Sequence, residues 1–334
     1  MRRVEYESVT DGRGPDRPAV VLDPVVQKLV DASADPPYLH QLGPIDGREA
    51  LREAQGHLFD DFAVDTEFWA APVGPSGLVG FWTFRPAARS GPLPAVLYVH
   101  GGRWMLGDAQ THTRMICELA TASEAVLVVP EYTRTPEARY PVALEELYAV
   151  LTWLTDNAPD FALDGRRLAV AGDCAGATMA TALTLMAKQR GGPRLRAQLL
   201  YYPTTAPHCD TASRRHFGSG YLLTTHALDW YWQQYTDDDR ELAEATASPL
   251  RATTADLAGL PPALVVTAEA DVVRDEAEQY ARQLQQAGVA VTAVRYLGTV
   301  HDFASLNALR DSPPTKAAIR QGGVFLKAAL TAGQ

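Results

Sequence analysis

The sequence predicts an α/β fold: a mostly parallel sheet of eight strands, helices on its faces, and a helical cap over one end. Three observations carry this. Eight apolar, β-branched or aromatic runs alternate with helical patterns, which is the arrangement of a parallel sheet covered on both sides. The run over 167–171 (RLAVA), the small-residue turn Gly172-Asp173-Cys174-Ala175-Gly176 and the Ala/Leu/Met-rich stretch over 178–188 form a strand–turn–helix unit. Residues able to do chemistry stand just past the ends of several strand-like runs, where the functional loops of such a sheet gather.

In chain order, residues 1 to about 60 read as an extended arm followed by helices, with Asp23-Pro24 capping the run VVQKLVDAS. Strands are predicted near 66–72 and 78–85, and the intervening Gly74-Pro75-Ser76-Gly77 suits an antiparallel hairpin at the start of the sheet. Further strands fall near 95–100, 125–132, 167–173, 197–202, 263–269 and 291–297, and helices near 111–123, 141–156, 175–190, 273–288 and 314–331. Residues from about 204 to 248 break the alternation. They hold Tyr221, Trp230, Tyr231, Trp232 and Tyr235 in a polar, histidine-bearing stretch. The core is therefore read as 61–334, with a cap built from the N-terminal arm and the 204–248 insertion. The aromatics either pack the cap helix down or line a pocket.

The length can bury a substantial core, and a content of 46% hydrophobic and 21% charged residues is that of a soluble globular enzyme. Thirty Lys and Arg against forty Asp and Glu give a net charge of −10, which argues against nucleic acid or an anionic membrane as a partner. The opening MRRVEYESVTDGRGPDRP lacks the apolar region of a signal peptide, and no stretch approaches the roughly 20 apolar residues of a membrane helix. Cys117, Cys174 and Cys209 are odd in number and widely spaced. They suggest a reducing, cytoplasmic setting with neither a disulfide framework nor a metal-type cysteine pair, and no metal is expected. Cys117 reads as a core residue and Cys209 as incidental.

The turn at 172–176 is what a nucleophile elbow needs, with small residues around one lifted side chain, here Cys174. The third strand ends in His100-Gly101-Gly102-Arg103-Trp104, and N–H groups of Gly101 and Gly102 together with that of Ala175 would form an oxyanion hole. Asp271 follows the seventh strand and His301 the eighth, giving the order nucleophile, acid, base. His301 would take the thiol proton, Asp271 would fix its tautomer, and the helix N-terminus beneath Cys174 favours the thiolate. Arg103, Trp104, Tyr202 and Trp230 are read as substrate-binding. Taken singly, Asp271 or Asp275 reads equally well as a helix cap, Cys174 as a buried small residue, and His112, His208, His216 and His226 as solvated or packed. What favours a triad is the placement of all three residues at strand ends in the required order.

These motifs resemble the hormone-sensitive-lipase-like branch of the α/β-hydrolases. That family carries HGGG, D-Y-R-L-A-P-E, GDSAGG, D-P-L-x-D-E and a final H-G/D-F. Here the corresponding stretches are His100-Gly101-Gly102-Arg103, Glu131-Tyr132-Thr133-Arg134-Thr135-Pro136-Glu137, Gly172-Asp173-Cys174-Ala175-Gly176-Ala177, Asp271-Val272-Val273-Arg274-Asp275-Glu276 and His301-Asp302-Phe303. The resemblance spans roughly 60–330. It implies the α/β-hydrolase fold, an eight-stranded sheet with a helical cap, and cofactor-free ester hydrolysis; relatives that dimerise through the edge strand leave a homodimer open. The departures are Arg103 for the third glycine, Thr133 for an arginine, and Cys174 for the serine. Arg103 either faces solvent or recognises an acidic acyl group or a phosphate-bearing carrier.

The expected function is acyl transfer on carboxylic esters or thioesters through a Cys174 thioester, with water the first acceptor. The expected partner is thus a small-molecule acyl substrate, free or carrier-bound. The alternatives are an acyltransferase or cyclase of a specialised pathway, a catalytically silent binding protein, and a serine-to-cysteine variant of an ordinary esterase.

Overall fold

The structure, a computed structural model, describes residues 20–56, 62–87 and 89–332. Most of the predicted N-terminal arm, and the segment read for a signal peptide, lie outside these residues. All eight strands form, as β1 (Val64–Ala71), β2 (Val79–Pro86), β3 (Leu93–Val99), β4 (Val126–Pro130), β5 (Leu163–Asp173), β6 (Leu195–Tyr201), β7 (Ala263–Ala270) and β8 (Val291–Val300). They make one sheet in the order β1-β2-β4-β3-β5-β6-β7-β8. β2 pairs antiparallel with β1 and β4, and the remaining pairs are parallel.

Before the sheet come α1 (Pro24–Ala32) and α2 (Gly43–Gln55). Helices α3 (Ala109–Ser123), α4 (Val142–Asp156) and α5 (Ala175–Arg190) then connect β3 through β6. From β3 the chain steps to β4 on one side and then crosses to β5 on the other, so right-handed crossovers place α3 and α4 on opposite faces. After β6 come α6 (Ala212–Phe217), α7 (Thr225–Tyr235), α8 (Asp239–Leu242) and α9 (Thr254–Leu257), then α10 (Arg274–Gln286) and α11 (Pro313–Thr331). α3 packs on α11 and α4 on α5.

β3 (LPAVLYV) and β4 (VLVVP) are buried at every residue, as continuous apolar runs between two helical layers must be. β5 starts four residues earlier than its apolar run suggests, because Leu163 already pairs with Leu93 of β3, ahead of an irregularity after which the regular register resumes at Leu168. The two segments that break the alternation meet each other. His40, in the short 3₁₀ turn Leu39–Gln41, lies 5.5 Å from the His226 ring and 6.1 Å from Trp230 of α7. Among the described residues, no helix is long and apolar enough to cross a membrane.

Candidate active site

β5 delivers its last residues to the carboxyl edge of the sheet, and α5 starts immediately after. Cys174 sits between them at φ 50°, ψ −125°, a strained conformation for a residue with a Cβ, held by its N–H donating to the Tyr201 carbonyl at the end of β6 (2.9 Å). Gly176 makes this turn fit: a Cβ there would overlap the Val99 and His100 carbonyls, so only glycine lets α5 start against the end of β3. The Cys174 side chain ends up buried, with about 1% of the residue exposed.

The other two predicted triad members come from the ends of the next strands. Asp271 Oδ2 lies 2.8 Å from His301 Nδ1, so that nitrogen carries the proton. Asp271 Oδ1 also accepts the Val273 N–H (3.1 Å). Asp271 therefore combines the two roles that its sequence position allowed, imidazole partner and helix-entry cap. Asp275 instead accepts the Ser213 N–H (2.8 Å) and the Arg274 Nε–H (2.8 Å). His301 Nε2 is buried and has no hydrogen-bond partner among the described residues. Cys174 Sγ, a ring nitrogen of His301 and a carboxylate oxygen of Asp302 all lie within 4.8 Å of one another. Burial opposes the imidazolium, but Asp271, Asp302 and Cys174 together outweigh it and hold His301 well above its ordinary range.

Arg103 does not take the solvent-facing course that its sequence position allowed, and part of its guanidinium is taken by a carboxylate of this chain. Its Nη2 donates to Asp302 Oδ2 (2.7 Å), both side chains are largely buried, and its guanidinium lies 5.8 Å from the Tyr231 ring. Burial disfavours its charge, and Asp302, Cys174 and Tyr231 more than restore it. Asp302, which the sequence pattern did not single out, is thus the counter-ion of Arg103 and lies beside Cys174.

The oxyanion loop also differs from expectation. The Gly101 N–H donates to Asp173 Oδ1 (2.9 Å), so it is already used. The N–H groups of Gly102 and Arg103 have no acceptor among the described residues, and Ala175, first residue of α5, has no intrahelical one. Gly102 is required here: its φ is 105° and a Cβ would strike the Leu106 carbonyl.

Asp173 is the residue sequence reasoning missed. Fully buried, it accepts from Tyr98 Oη (2.7 Å) and Gly101 N and lies 3.3 Å from His112 Nε2. Burial raises its pKa, yet His112, Tyr98 and Gly101 hold it below the ordinary aspartate value of 3.8. Burial likewise opposes the charge on His112, which Asp173 holds above 6.5. His112 is packed, as its sequence position allowed, but as half of an ion pair. His100 stacks on Tyr132 (ring centroids 4.4 Å apart), and burial together with His112 pushes it down to about 3, leaving it a neutral scaffold.

The His112–Asp173 pair sets a pH window for stability. Its acidic half contributes above pH 3.8, and its histidine half contributes fully below 6.5 and fades as pH rises through the higher folded value. His112→Asn should therefore cost about 3–5 kcal/mol near pH 6. Thermal melts should show the gap from the unmodified chain narrowing as pH rises above neutrality.

The aromatic residues read as substrate-binding pack in three different places. Tyr202 is buried with its ring 5.0 Å from that of His301 and its hydroxyl donating to Ser305 Oγ (3.3 Å), so it backs the imidazole. Trp104 is buried, stacked on Tyr235 (4.5 Å) and meeting Trp232 at a tilt (4.6 Å). Trp230 packs on Tyr231 (5.0 Å) and His40, and it is Tyr231 that faces Arg103. At the 131–137 segment, Thr133 gives its N–H and hydroxyl to Glu146, and Arg48 of α2 forms a two-point bond with Glu137 (2.6 and 2.7 Å).

A family model described as the α/β-hydrolase fold matches residues 96–305. The carboxylesterase NlhH of Mycobacterium tuberculosis is 35% identical over 322 residues, covering 93% of this chain and 97% of its own length. Among solved structures, a thermostable esterase from Pseudomonas putida ECU1011 superposes with a TM-score of 0.91 at 41% identity, covering 94% of this chain and 99% of its own. Carboxyl esterase 2 from the fungus Tuber melanosporum superposes with a TM-score of 0.84 at 34% identity, covering 92% and 99%.

Proposed function

We propose, for a chain that belongs to the α/β-hydrolase carboxylesterase family, that it transfers acyl groups from carboxylic esters or thioesters through a thioester on Cys174, with water as acceptor. The observation that carries this reading is the buried line from Asp271 through His301 to Cys174. A 2.8 Å bond fixes Nδ1, an unpartnered Nε2 remains, and the thiol on the elbow is within reach of the imidazole.

In this mechanism Sγ attacks the substrate carbonyl carbon as a thiolate. The N–H groups of Gly102, Arg103 and Ala175 receive the oxyanion, in place of the Gly101 donor. The tetrahedral intermediate collapses to the thioester, and His301 gives its Nε2 proton to the departing alkoxide or thiolate. Water then gives one proton to Nε2 as its oxygen attacks the thioester carbonyl. The C–S bond breaks, the acid leaves, and thiolate and imidazolium are restored. Asp271 keeps the ring oriented throughout, and Tyr202 supports it from behind.

The pairing of Arg103 with Asp302 favours an acyl group without charge. The buried aromatics of α7 suit a partly apolar one. The resulting partner is a small-molecule ester, with carrier-bound thioesters as the second class of donor.

Intact-protein mass spectrometry after brief exposure to p-nitrophenyl esters and acyl thioesters tests this reading. One acyl adduct per chain is expected, absent from Cys174→Ala and discharged by water. Faster discharge by amines than by water would turn the reading to a transferase. An adduct that survives in Cys174→Ala, or none from any donor on a folded protein, defeats the proposed nucleophile.

A further inference from the structure

We infer that Cys174, His301 and Asp302 form a binding site for one thiophilic divalent cation, zinc being the best match, which occupies the nucleophile and reversibly silences it. The silencing rests on the proposed role of Cys174; the binding does not.

Three ligand types that suit zinc converge here: a cysteine sulfur, an imidazole nitrogen and a carboxylate oxygen, all within 4.8 Å of one another. Zinc bonds of about 2.0–2.3 Å in a tetrahedron place ligand atoms about 3.3–3.8 Å apart. His301 Nε2 and Asp302 Oδ1 already stand 3.4 Å apart. Their contact is out of line for a hydrogen bond, which leaves Nε2 a buried nitrogen with no partner.

The surroundings resemble those of a metal ligand set. His301 gives its other ring N–H to Asp271 (2.8 Å), the carboxylate–histidine arrangement that orients metal-bound imidazoles. Arg103 anchors Asp302 through Oδ2 (2.7 Å) and leaves Oδ1 directed at the histidine. Three protein ligands leave a fourth position for water. The thiolate selects zinc over magnesium or calcium, which prefer sets of oxygens.

Charge limits the affinity without abolishing it. A thiolate and the Asp302 carboxylate neutralise a dication, while Arg103 opposes its entry. Binding needs Sγ as thiolate and Nε2 as a lone pair, so the proton that this couple shares leaves to solvent. The outcome is a site that fills and empties, in contrast to a permanent structural centre. A serine at 174 would lack the soft ligand, so the property belongs to this chain's cysteine.

Calorimetric titration of the metal-free full chain with zinc chloride, paralleled by the absorption spectrum with cobalt(II), tests the site. One zinc per chain is expected, together with a thiolate-to-cobalt charge-transfer band. Both should vanish in Cys174→Ala, and Asp302→Asn should bind about 10- to 100-fold more weakly, the loss that even outer partners of a metal site cause. Ester hydrolysis by the unmodified chain should fall in proportion to zinc occupancy and return with a chelator. An isotherm unchanged in Cys174→Ala, or a cobalt spectrum without the thiolate band, overturns the inference. The cobalt spectrum of the unmodified chain decides the matter even if Asp302→Asn does not fold. Zinc binding by a chain that no ester acylates would leave the site standing and defeat the nucleophile; acylation without zinc binding would do the reverse.

Discussion

Asp271→Asn is expected to slow acylation of Cys174 by on the order of 1,000- to 10,000-fold while leaving the fold intact. Asp271 Oδ2 holds the proton on His301 Nδ1 and so turns Nε2 towards the thiol. An asparagine can present its NH₂ to Nδ1 instead, which moves the ring proton to Nε2. Asp302 Oδ1, already 3.4 Å from Nε2, would then capture that proton and draw the imidazole away from Cys174. Removing the acid of a Ser-His-Asp triad costs about 10,000-fold. The lower bound is set by Asp302 and Cys174, which continue to favour the imidazolium. The fold should survive because the Asn Oδ1 can still accept the Val273 N–H that Asp271 accepts now. Single-turnover acylation, read by quenched-flow mass spectrometry beside a thermal melt, checks this. A loss below about tenfold in a protein that melts normally would remove Asp271 from the mechanism.

That Cys174, Asp271 and His301 come together was legible in the sequence because it follows from residue type and from position at the ends of strand-like runs. β3 and β4 were legible because complete burial writes itself as unbroken apolar runs. What sequence pattern could not show is pairing across distance. Gly101 was assigned to the oxyanion hole because nothing local reveals that its N–H meets Asp173, 72 positions later. The surroundings of Arg103 are hidden in the same way, because its counter-ion, Asp302, lies 199 positions away. Trp230 and Tyr231 are neighbours on α7, about 100° apart around the helix. Composition marks both as cap aromatics, and only tertiary packing turns Tyr231 towards Arg103. Asp173 stands within the elbow motif, but the role of a buried aspartate is set by its partners, here Tyr98 and His112, which the motif does not reveal.

Restoring serine at the elbow is expected to reduce ester hydrolysis by about 100-fold or more, the range that a general base contributes. A thiolate beside an imidazolium is ready to attack, whereas a serine hydroxyl must first hand its proton to a neutral histidine. Here the surroundings favour the imidazolium. Against burial, Asp271, Asp302 and Cys174 hold His301 well above its ordinary range, and Cys174→Ser removes only the last of these. Asp302 Oδ1, 3.4 Å from Nε2, stabilises the very proton that serine catalysis needs removed. A base with a raised pKa becomes neutral only as pH climbs through that value, so the residual rate of Cys174→Ser should rise steeply with pH above neutrality. Adding Asp302→Asn in the serine background should recover about tenfold or more, because it removes the competing negative charge yet leaves an oxygen for Arg103. Rates of p-nitrophenyl ester hydrolysis across pH 6–9 for the single and double variants decide the question. A gain in hydrolysis from Cys174→Ser alone would mean that the site is tuned for a hydroxyl and that its cysteine is a departure without its own chemistry. A loss that Asp302→Asn partly repairs would instead make Cys174, Asp302 and Arg103 one unit, in which the carboxylate suits a cysteine and hinders a serine.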